Sequence, residues 1–455
     1  MSQSKETIAA FRFGLGFAPG QRVDAEPAFL TRNMRNGDPL AALSSPVSLD
    51  DRMAMIVRLR QENQKQRESG NPGESEALKK VRGDFRKLRL EDARRLFERA
   101  IFSDDSFFER LSFFWADHFT VAPKVKLGQA TWGDYIDNAI RANVTRSFAD
   151  MLIDVVLHPN MLLYLDQRGS VGPESRVGTR RGMGLNENLA REILELHTLG
   201  VGGAYSQTDV RQLAELLTGL SLNKRGFMFA PGRSEPGPET ILGRTYGDYG
   251  KAELDDIRSF LHDVSVHPDT ARHIARKLAV HFVSDEPDPD LIATLADTYM
   301  QTDGDLPSVY VALLDHPAAW MPLGAKVKQP MDFMISGLRA LGLERKQIVE
   351  ISPRRANRIL VTPLAAMGQP LGRQPGPDGW PEEAEAWITA HGLAARLQWS
   401  LLTAERFARR HDPRAFLDFA LRDLAGDSLR FAVSGAEKQT EGIALVLASP
   451  EFNRR

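Results

Sequence analysis

The sequence predicts a mainly α-helical protein, a multi-helical orthogonal or bundle-like array with one short β-hairpin and long Gly/Pro loops. Apolar residues recur with helical spacing through most of the chain. One convincing hairpin interrupts this pattern, where the turn 223–226 separates two apolar runs at 220–222 and 227–229. Tracts rich in Pro and Gly lie at 231–243 and 367–381, and they predict long loops between helices.

Length and composition indicate an ordinary globular protein. Hydrophobic residues make up 42% of the 455 residues and charged residues 26%, which excludes a disordered chain. We expect a single domain over 8–455, with a division near 150 or 325 as the alternative, and the apolar opening 8–20 should pack across the core. Because 58 Lys and Arg balance 60 Asp and Glu, we expect no nucleic-acid partner.

The chain contains no cysteine, which excludes disulfides, thiolate nucleophiles and Cys-ligated metals. No apolar run approaches the ~20 residues that span a bilayer. The first residues lack a basic segment followed by an apolar run, so no signal peptide is visible and a cytoplasmic location is favoured.

Functional side chains are concentrated at 186–200, which predicts one helix ending at Gly200. Glu187, Arg191 and Glu195 share one side of this helix at i, i+4 and i+8. We interpret them as an ion-pair ladder that clamps a neighbouring helix, with a carboxylate metal site as the alternative. His197 lies instead on the apolar side.

A second histidine, His118, lies on the apolar face of the helix predicted at 105–120. A lone histidine on such a face is usually a core residue, but two of them favour a buried site if the faces meet. We therefore predict catalytic roles for His118, Asn186, His197 and Glu192. If the site holds a metal, His118, His197 and Glu192 are the candidate ligands.

Cofactor contacts are predicted for four further residues. His273 and His281 lie with Lys277 on one edge of the helix that begins after His267-Pro268. Trp115 and Trp380 belong to a set of aromatic residues that would line a cofactor pocket or be redox-active, the alternative being that they are core residues. The cofactor itself is not identified by any motif, since no Walker loop, dinucleotide fingerprint or zincin string is present.

Several short sequence motifs resemble those of the DUF1800 family of bacterial proteins. They occur in the family's order along almost the whole chain. They are 114–119 (FWADHF), 186–192 (NENLARE), 197–200 (HTLG), 217–219 (LTG), 281–285 (HFVSD), 377–381 (PDGWP) and 449–452 (SPEF). The resemblance implies a mainly helical fold. It also implies a pathway or complex shared with a sulfatase-like family, DUF1501, whose genes often lie beside those of DUF1800 proteins.

This chain departs from the family pattern in three ways. Many relatives carry His-Asn-His where this chain has Ala116-Asp117-His118, and many have Trp in place of Leu220. Many relatives are also exported, whereas no export signal is visible here. The first departure weakens a model in which paired histidines of that helix bind a metal.

Two functional hypotheses follow from these residues. The first is an enzyme with a buried His/Asn/Glu site that performs acid-base, metal-dependent or redox chemistry. The second is a non-catalytic helical scaffold that stabilises a partner, for which a DUF1501-like protein is the first candidate. The sequence does not decide between them, and it leaves the reaction, the substrate and the oligomeric state open.

Overall fold

The structure is a computed structural model that describes residues 3–70, 73–122, 125–324, 326–409 and 411–455. It confirms the mainly α-helical fold class. The helices of eight or more residues, in chain order, are α1 Leu49–Glu68, α2 Glu76–Phe102, α3 Ser106–His118, α4 Lys126–Asp134, α5 Phe148–Leu157, α6 Gln207–Leu216, α7 Leu254–Ser265, α8 Pro268–Phe282, α9 Pro289–Gln301, α10 Leu306–Asp315, α11 Pro330–Ala340, α12 Ala390–Phe407, α13 Pro413–Leu421, α14 Asp427–Ser434 and α15 Gln439–Ala448.

Short helical segments connect these helices. The short α-helices are Lys5–Ile8, Pro27–Leu30, Pro159–Tyr164, Arg176–Arg181, Asn188–Glu192, Lys346–Val349, Pro353–Ala356, Thr362–Ala366, Ala384–Trp387 and Pro450–Asn453. The 3-10 turns are Ala41–Leu43, Arg141–Asn143, Gln167–Gly169, Pro231–Arg233, Pro317–Trp320 and Arg422–Leu424. Wider π turns occur at Ala9–Phe13, Tyr135–Ile140, Ile193–His197 and Asn357–Val361.

Local sequence signals explain where the helices near the site begin. The Asp105 carboxylate accepts the Phe108 N–H at 3.1 Å and caps α3. The His267 ring accepts the Asp269 N–H at 3.1 Å and caps α8, whose first residue is a proline. Both helices therefore begin where their sequences predict.

The predicted hairpin is present and is followed by a second one. Strands β1 Leu220–Asn223 and β2 Gly226–Phe229 pair antiparallel with Leu220 opposite Phe229. The second hairpin, β3 Glu239–Ile241 with β4 Arg244–Tyr246, lies in the tract that we expected to be a long loop. Its turn residues Leu242 and Gly243 both have positive φ, the conformation of a tight two-residue turn. Three-residue strands are too short to show a periodic pattern, so the prediction of a single hairpin was incomplete.

Two large hydrophobic cores fill the molecule. The first is built mainly from residues between 107 and 319, and the second mainly from 96–101 and the residues after 323. The opening segment joins them as expected, since Phe13 belongs to the first core while Phe11 and Phe17 belong to the second. The limits of the single domain predicted over 8–455 stay a prediction.

Buried ion pairs join residues of the two cores. Arg110 of α3 pairs with Asp332 of α11 at 2.5 Å, and Arg455 pairs with the same carboxylate at 2.7 Å. Arg455 also pairs with Glu382 at 3.0 Å, which in turn accepts from the His281 ring at 2.5 Å. We call this set the buried ion network: Arg110, His281, Lys326, Asp332, Glu382 and Arg455.

The hydropathy of the helices agrees with the expectation of no membrane span. Within the five described ranges, no helix combines the length and the apolar character needed to cross a bilayer.

The buried ion network yields a stability prediction. Asp332→Ala removes the shared partner of two buried guanidinium groups, and we expect it to lower the free energy of unfolding by about 3–5 kcal/mol. Urea unfolding followed by circular dichroism measures this change. Asp255→Ala is the matched control, because Asp255 forms an exposed pair with Arg258 and should cost about 1 kcal/mol or less. Equal losses in the two variants would contradict the prediction.

Candidate functional site

A cleft of about 1000 Å³ lies where four parts of the chain meet. Its walls are the end of α3, the segment 195–204, one side of α8 and the loop 375–383. His118, His273 and Trp380, three of the residues singled out in the sequence, line it together. A largely preformed concavity of this size is typical of small-molecule sites.

The stretch 186–200 is not one continuous α-helix. One α-helical segment, Asn188–Glu192, passes directly into the π turn Ile193–His197. The Thr198 hydroxyl then donates to the Ile193 carbonyl at 2.6 Å, and the chain leaves the helix before Gly200. A π turn contains more residues than an α turn, so a regular helical wheel misplaces the side chains from Ile193 onward.

The end of this π turn presents two backbone carbonyls to histidines from other helices. The ring Nε2 of His118, on α3, lies 3.1 Å from the His197 carbonyl oxygen. The ring Nε2 of His273, on α8, lies 3.1 Å from the Leu196 carbonyl oxygen. Since a carbonyl oxygen only accepts, each Nε2 carries the proton and donates it. The Nδ1 atom of each neutral ring is therefore a hydrogen-bond acceptor.

Burial keeps these imidazoles neutral. Burial, with the positive charge of Lys277 next in importance, holds the pKa of His118 well below its ordinary value. Burial also lowers the pKa of His273 to about 4, again with a contribution from Lys277. In the described part of the chain, His118 Nδ1 is buried and has no hydrogen-bond partner. The site thus contains a desolvated basic nitrogen that the fold itself leaves unused.

His197 lies directly behind this pair. The structure brings it next to His118, with ring centroids 6.2 Å apart, and against Phe119 at 5.1 Å. Its side chain is 1% exposed and is absent from the cleft wall. Burial lowers its pKa to about 3. His197 therefore contacts His118 of the cleft wall through its ring and its backbone carbonyl without lining the cleft itself.

The side chain of Asn186, whose catalytic role stays a prediction, bonds the backbone of two neighbouring segments. Its side-chain oxygen accepts the Asn188 N–H at 2.9 Å, and its amide nitrogen lies 3.3 Å from the Leu165 carbonyl. Because both ends of the amide bond the backbone, Asn186 joins the turn at 165–170 to the start of the helical segment. It does not line the cleft.

The ion-pair ladder runs along the same segment, and Glu192 is next to Arg191 in the chain. Arg191 bonds Glu187 at 3.3 Å and Glu195 at 3.0 Å, so the predicted ladder is present. Arg191 and Glu187 both bond Gln207, through which the ladder clamps the start of α6. Glu192 remains outside the ladder, and its Oε2 has no partner among the described residues.

The electrostatic setting of Glu192 resembles that of a proton donor. Burial, followed by the negative charges of Glu195 and Asp378, raises its pKa to about 7. Glu192 does not itself line the cleft, whereas Asp378 does. Its catalytic role therefore stays a prediction.

Asp117 is a site residue that the sequence reasoning did not select. It lines the cleft and also a narrow pocket of about 80 Å³ beside it. Its carboxylate accepts the Trp380 N–H at 3.0 Å. Burial, followed by the charge of Glu382, raises its pKa to about 7 despite the opposing charge of Lys277. The sequence feature that could have indicated a role for Asp117 is its position next to His118 in the string Ala116-Asp117-His118.

The loop that carries Trp380 approaches Asp117 closely. Gly379 has φ +89°, and a Cβ atom there would lie 2.8 Å from the Asp117 carbonyl oxygen. Only glycine accommodates both that conformation and that approach. Trp380 lines both cavities, and its ring centroid lies 5.9 Å from that of Trp387. Its contact with a cofactor stays a prediction.

Two of the predicted cofactor contacts are occupied by structural interactions. The Trp115 indole is fully buried in the first core and donates to the Tyr310 hydroxyl at 2.6 Å. His281 uses both ring nitrogens in the buried ion network, Nδ1 with Glu382 and Nε2 with Arg110 at 3.3 Å. Trp115 is thus part of the first core, and its contact with a cofactor stays a prediction. His281 borders the narrow pocket while fixing the position of Glu382.

The candidate metal ligands do not form a ligand set. In the ranges that the structure describes, no three His, Asp or Glu side chains are grouped as a metal ion would require. His118 donates through one ring nitrogen to a backbone carbonyl, His197 lies behind it, and Glu192 does not line the cleft. The residues present therefore do not fit the metal site that was predicted from His118, His197 and Glu192.

The raised pKa of Asp117 gives a prediction about pH. The folded protein holds a proton on Asp117 up to about pH 7 while the unfolded chain releases it near pH 4, so this group costs stability as the pH rises. Asp117→Asn keeps an acceptor for Trp380 and removes that cost. We expect the variant to be more stable than the parent by on the order of 1–2 kcal/mol at about pH 8, with a smaller difference at about pH 5. Thermal melts at both pH values test this, and a gain that is equal at both would contradict it.

Comparison with known proteins identifies the family. The family model described as a protein of unknown function, DUF1800, matches residues 8–454. No curated protein and no solved structure is significantly similar to the chain. The match covers nearly the entire sequence, including every residue of the cleft described above. The chain belongs to the DUF1800 family.

Proposed function

We propose that the chain is an enzyme that performs acid-base chemistry on an anionic substrate in the cleft. His118 and His273 act as the proton-accepting pair, and Asp117 supplies or receives the second proton. The observation that carries the proposal is the fixed tautomer of the two histidines. Both donate Nε2–H to adjacent backbone carbonyls, which leaves both Nδ1 atoms as acceptors.

The pKa values of these groups support proton transfer. His118 and His273 are neutral at physiological pH and can therefore accept a proton, while Asp117, with its pKa raised to about 7, is partly protonated and can donate one. General acid-base catalysis commonly uses an acid and a base whose pKa values are shifted by their surroundings.

Lys277 supports an anionic substrate. It lines the cleft, and its charge acts on His118, His197 and His273. Neither Lys277 nor the neighbouring Arg276 forms an ion pair with a carboxylate in the described chain, whereas Arg272 pairs with Asp269. An unpaired cation beside two neutral bases would bind a negative charge next to the atom that loses its proton.

Metal-dependent and redox chemistry, the other versions of the enzyme hypothesis, have less support from this geometry. The ligand set predicted for a metal is not assembled, and Trp115 is enclosed in the core. Elemental analysis of protein purified without a His tag tests the metal version. A stoichiometric transition metal that is lost with His118→Gln would overturn the acid-base proposal in favour of a metal site.

The acid-base proposal predicts a specific loss of activity. Glutamine can donate to the same carbonyls but provides no basic ring nitrogen, so His118→Gln and His273→Gln should each lower kcat by about 10²–10⁴-fold. Lys277→Gln should mainly raise KM. The measurement is turnover of a panel of small carboxylates and phosphate monoesters, with a thermal melt of each variant.

His391→Gln is the matched control, because His391 is exposed on α12 and does not line the cleft. It should leave kcat and KM unchanged. A parent protein that converts no member of the panel, or a His118→Gln variant as active as the parent, would contradict the proposal.

A helical scaffold for a DUF1501-like partner is the second candidate, and one observation favours it. Leu393, Leu397 and Leu401 form a stripe along α12 and are 45%, 48% and 40% exposed. Such a stripe is suited to packing against a helix of another protein.

Replacing leucines of this stripe tests the scaffold. Leu393→Ser with Leu397→Ser should abolish co-purification with a co-expressed DUF1501-like protein, whereas Phe431→Ser, at a position 83% exposed on α14, should not. Co-purification that survives the double substitution would remove this stripe from consideration.

A further inference from the structure

A second concavity, separate from the cleft, lies between α2 and the segment 353–361. Its volume is about 670 Å³, and it shares no lining residue with the cleft. Four cationic side chains, Arg86, Lys87, Arg89 and Arg354, belong to its wall, and no Asp or Glu does. We call it the basic groove.

The cations of the basic groove differ from the other charged residues of α2. Nearer the start of that helix, Lys79 pairs with Glu76, and farther along Arg94 pairs with Glu91 at 2.9 Å and Glu98 at 2.8 Å. The four groove cations form no ion pair in the described chain. All four groove cations are exposed, and the wall of the groove offers them no counter-charge.

Further cations lie close to residues of the groove in space or in the chain. The charge of Arg373 acts on Arg89, and burial together with that charge lowers the pKa of Arg89. The charges of Arg355 and Arg358, which follow Arg354 in the chain, likewise lower the pKa of Arg406, together with burial. Positive charges gathered without counter-charges repel each other and reduce stability, so their arrangement is explained best by an anion that binds between them.

The wall of the groove also contains apolar residues. They are Leu90 and Ala93 of α2, Pro353, Val361 and Leu371. A volume of this size accommodates a small molecule with an apolar part as well as its charged groups.

We propose that the basic groove binds a ligand that carries two or more phosphate groups. Arginine offers paired N–H donors that match phosphate oxygens, and the groove wall contains three arginines and one lysine. Several cations around one concavity suit several negative charges better than a single carboxylate. A soluble polyphosphate and a phosphorylated lipid headgroup share this chemistry.

Titration calorimetry of the full chain with inorganic tripolyphosphate tests the soluble form of the ligand. Flotation with phosphatidylcholine vesicles, with and without phosphatidylinositol bisphosphate, tests the lipid form. The parent should bind at least one of these two probes, and raising the salt concentration should weaken the binding. Binding of either probe should be weakened by the same groove variant.

That variant combines Arg89→Gln with Arg354→Gln. It should weaken binding by about a hundredfold, because it removes two charge-assisted contacts. Without ligand it should melt at or above the parent temperature, since it relieves repulsion, and tripolyphosphate should raise the melting temperature of the parent only. Lys224→Gln with Arg225→Gln, in the exposed turn of the first hairpin, removes the same charge and should bind as the parent does.

Three results would overturn the proposal. The first is that the parent binds neither probe. The second is that binding persists in the groove variant or falls equally in the control. The third is that a single-stranded oligonucleotide binds the groove more tightly than either phosphate probe, which would assign the groove to nucleic acid.

Discussion

The position of the cleft depends on the buried ion network. Arg110 belongs to a helix of the first core and Asp332 to a helix of the second, so their pair fixes how the two cores meet. Buried charges are tolerated only when each has a partner, and here two carboxylates are shared among two arginines, a lysine and a histidine. Glu382 belongs to this network and also lines the cleft. The same contacts that join the cores therefore hold one wall of the site.

The fold was largely predictable because its signals are local. Helix caps, apolar periodicity and Gly or Pro breaks located α3 and α8 correctly, and the i, i+4 spacing predicted the Glu187–Arg191–Glu195 ladder. The second hairpin was not predicted because its strands are too short to show an alternation of apolar and polar residues. The π turn at 193–197 escaped because no residue pattern distinguishes it from an α turn.

The site was predictable only in part, because its contacts join residues far apart in the chain. Histidines on apolar faces pointed to His118 and His197, and the structure places them side by side. Asp117 was missed because its raised pKa comes from burial beneath the loop 375–383, which the sequence does not show. Trp115 and His281 were assigned to a cofactor because an aromatic or imidazole ring gives no sequence signal of whether its polar atoms already have partners. Tyr310, Glu382 and Arg110 provide those partners here.

The contacts of the π turn restrict the number of residues that the segment 193–197 can contain. The carbonyls of Leu196 and His197 belong to consecutive residues, and each holds an imidazole from a different helix. Inserting or deleting one residue in 193–197 would rotate both carbonyls away together, so α3 and α8 would lose their histidine contacts at once. The contacts with α3 and α8 thus restrict the number of residues in this turn. In return, the turn fixes how the side chains of His118 and His273 are oriented relative to each other.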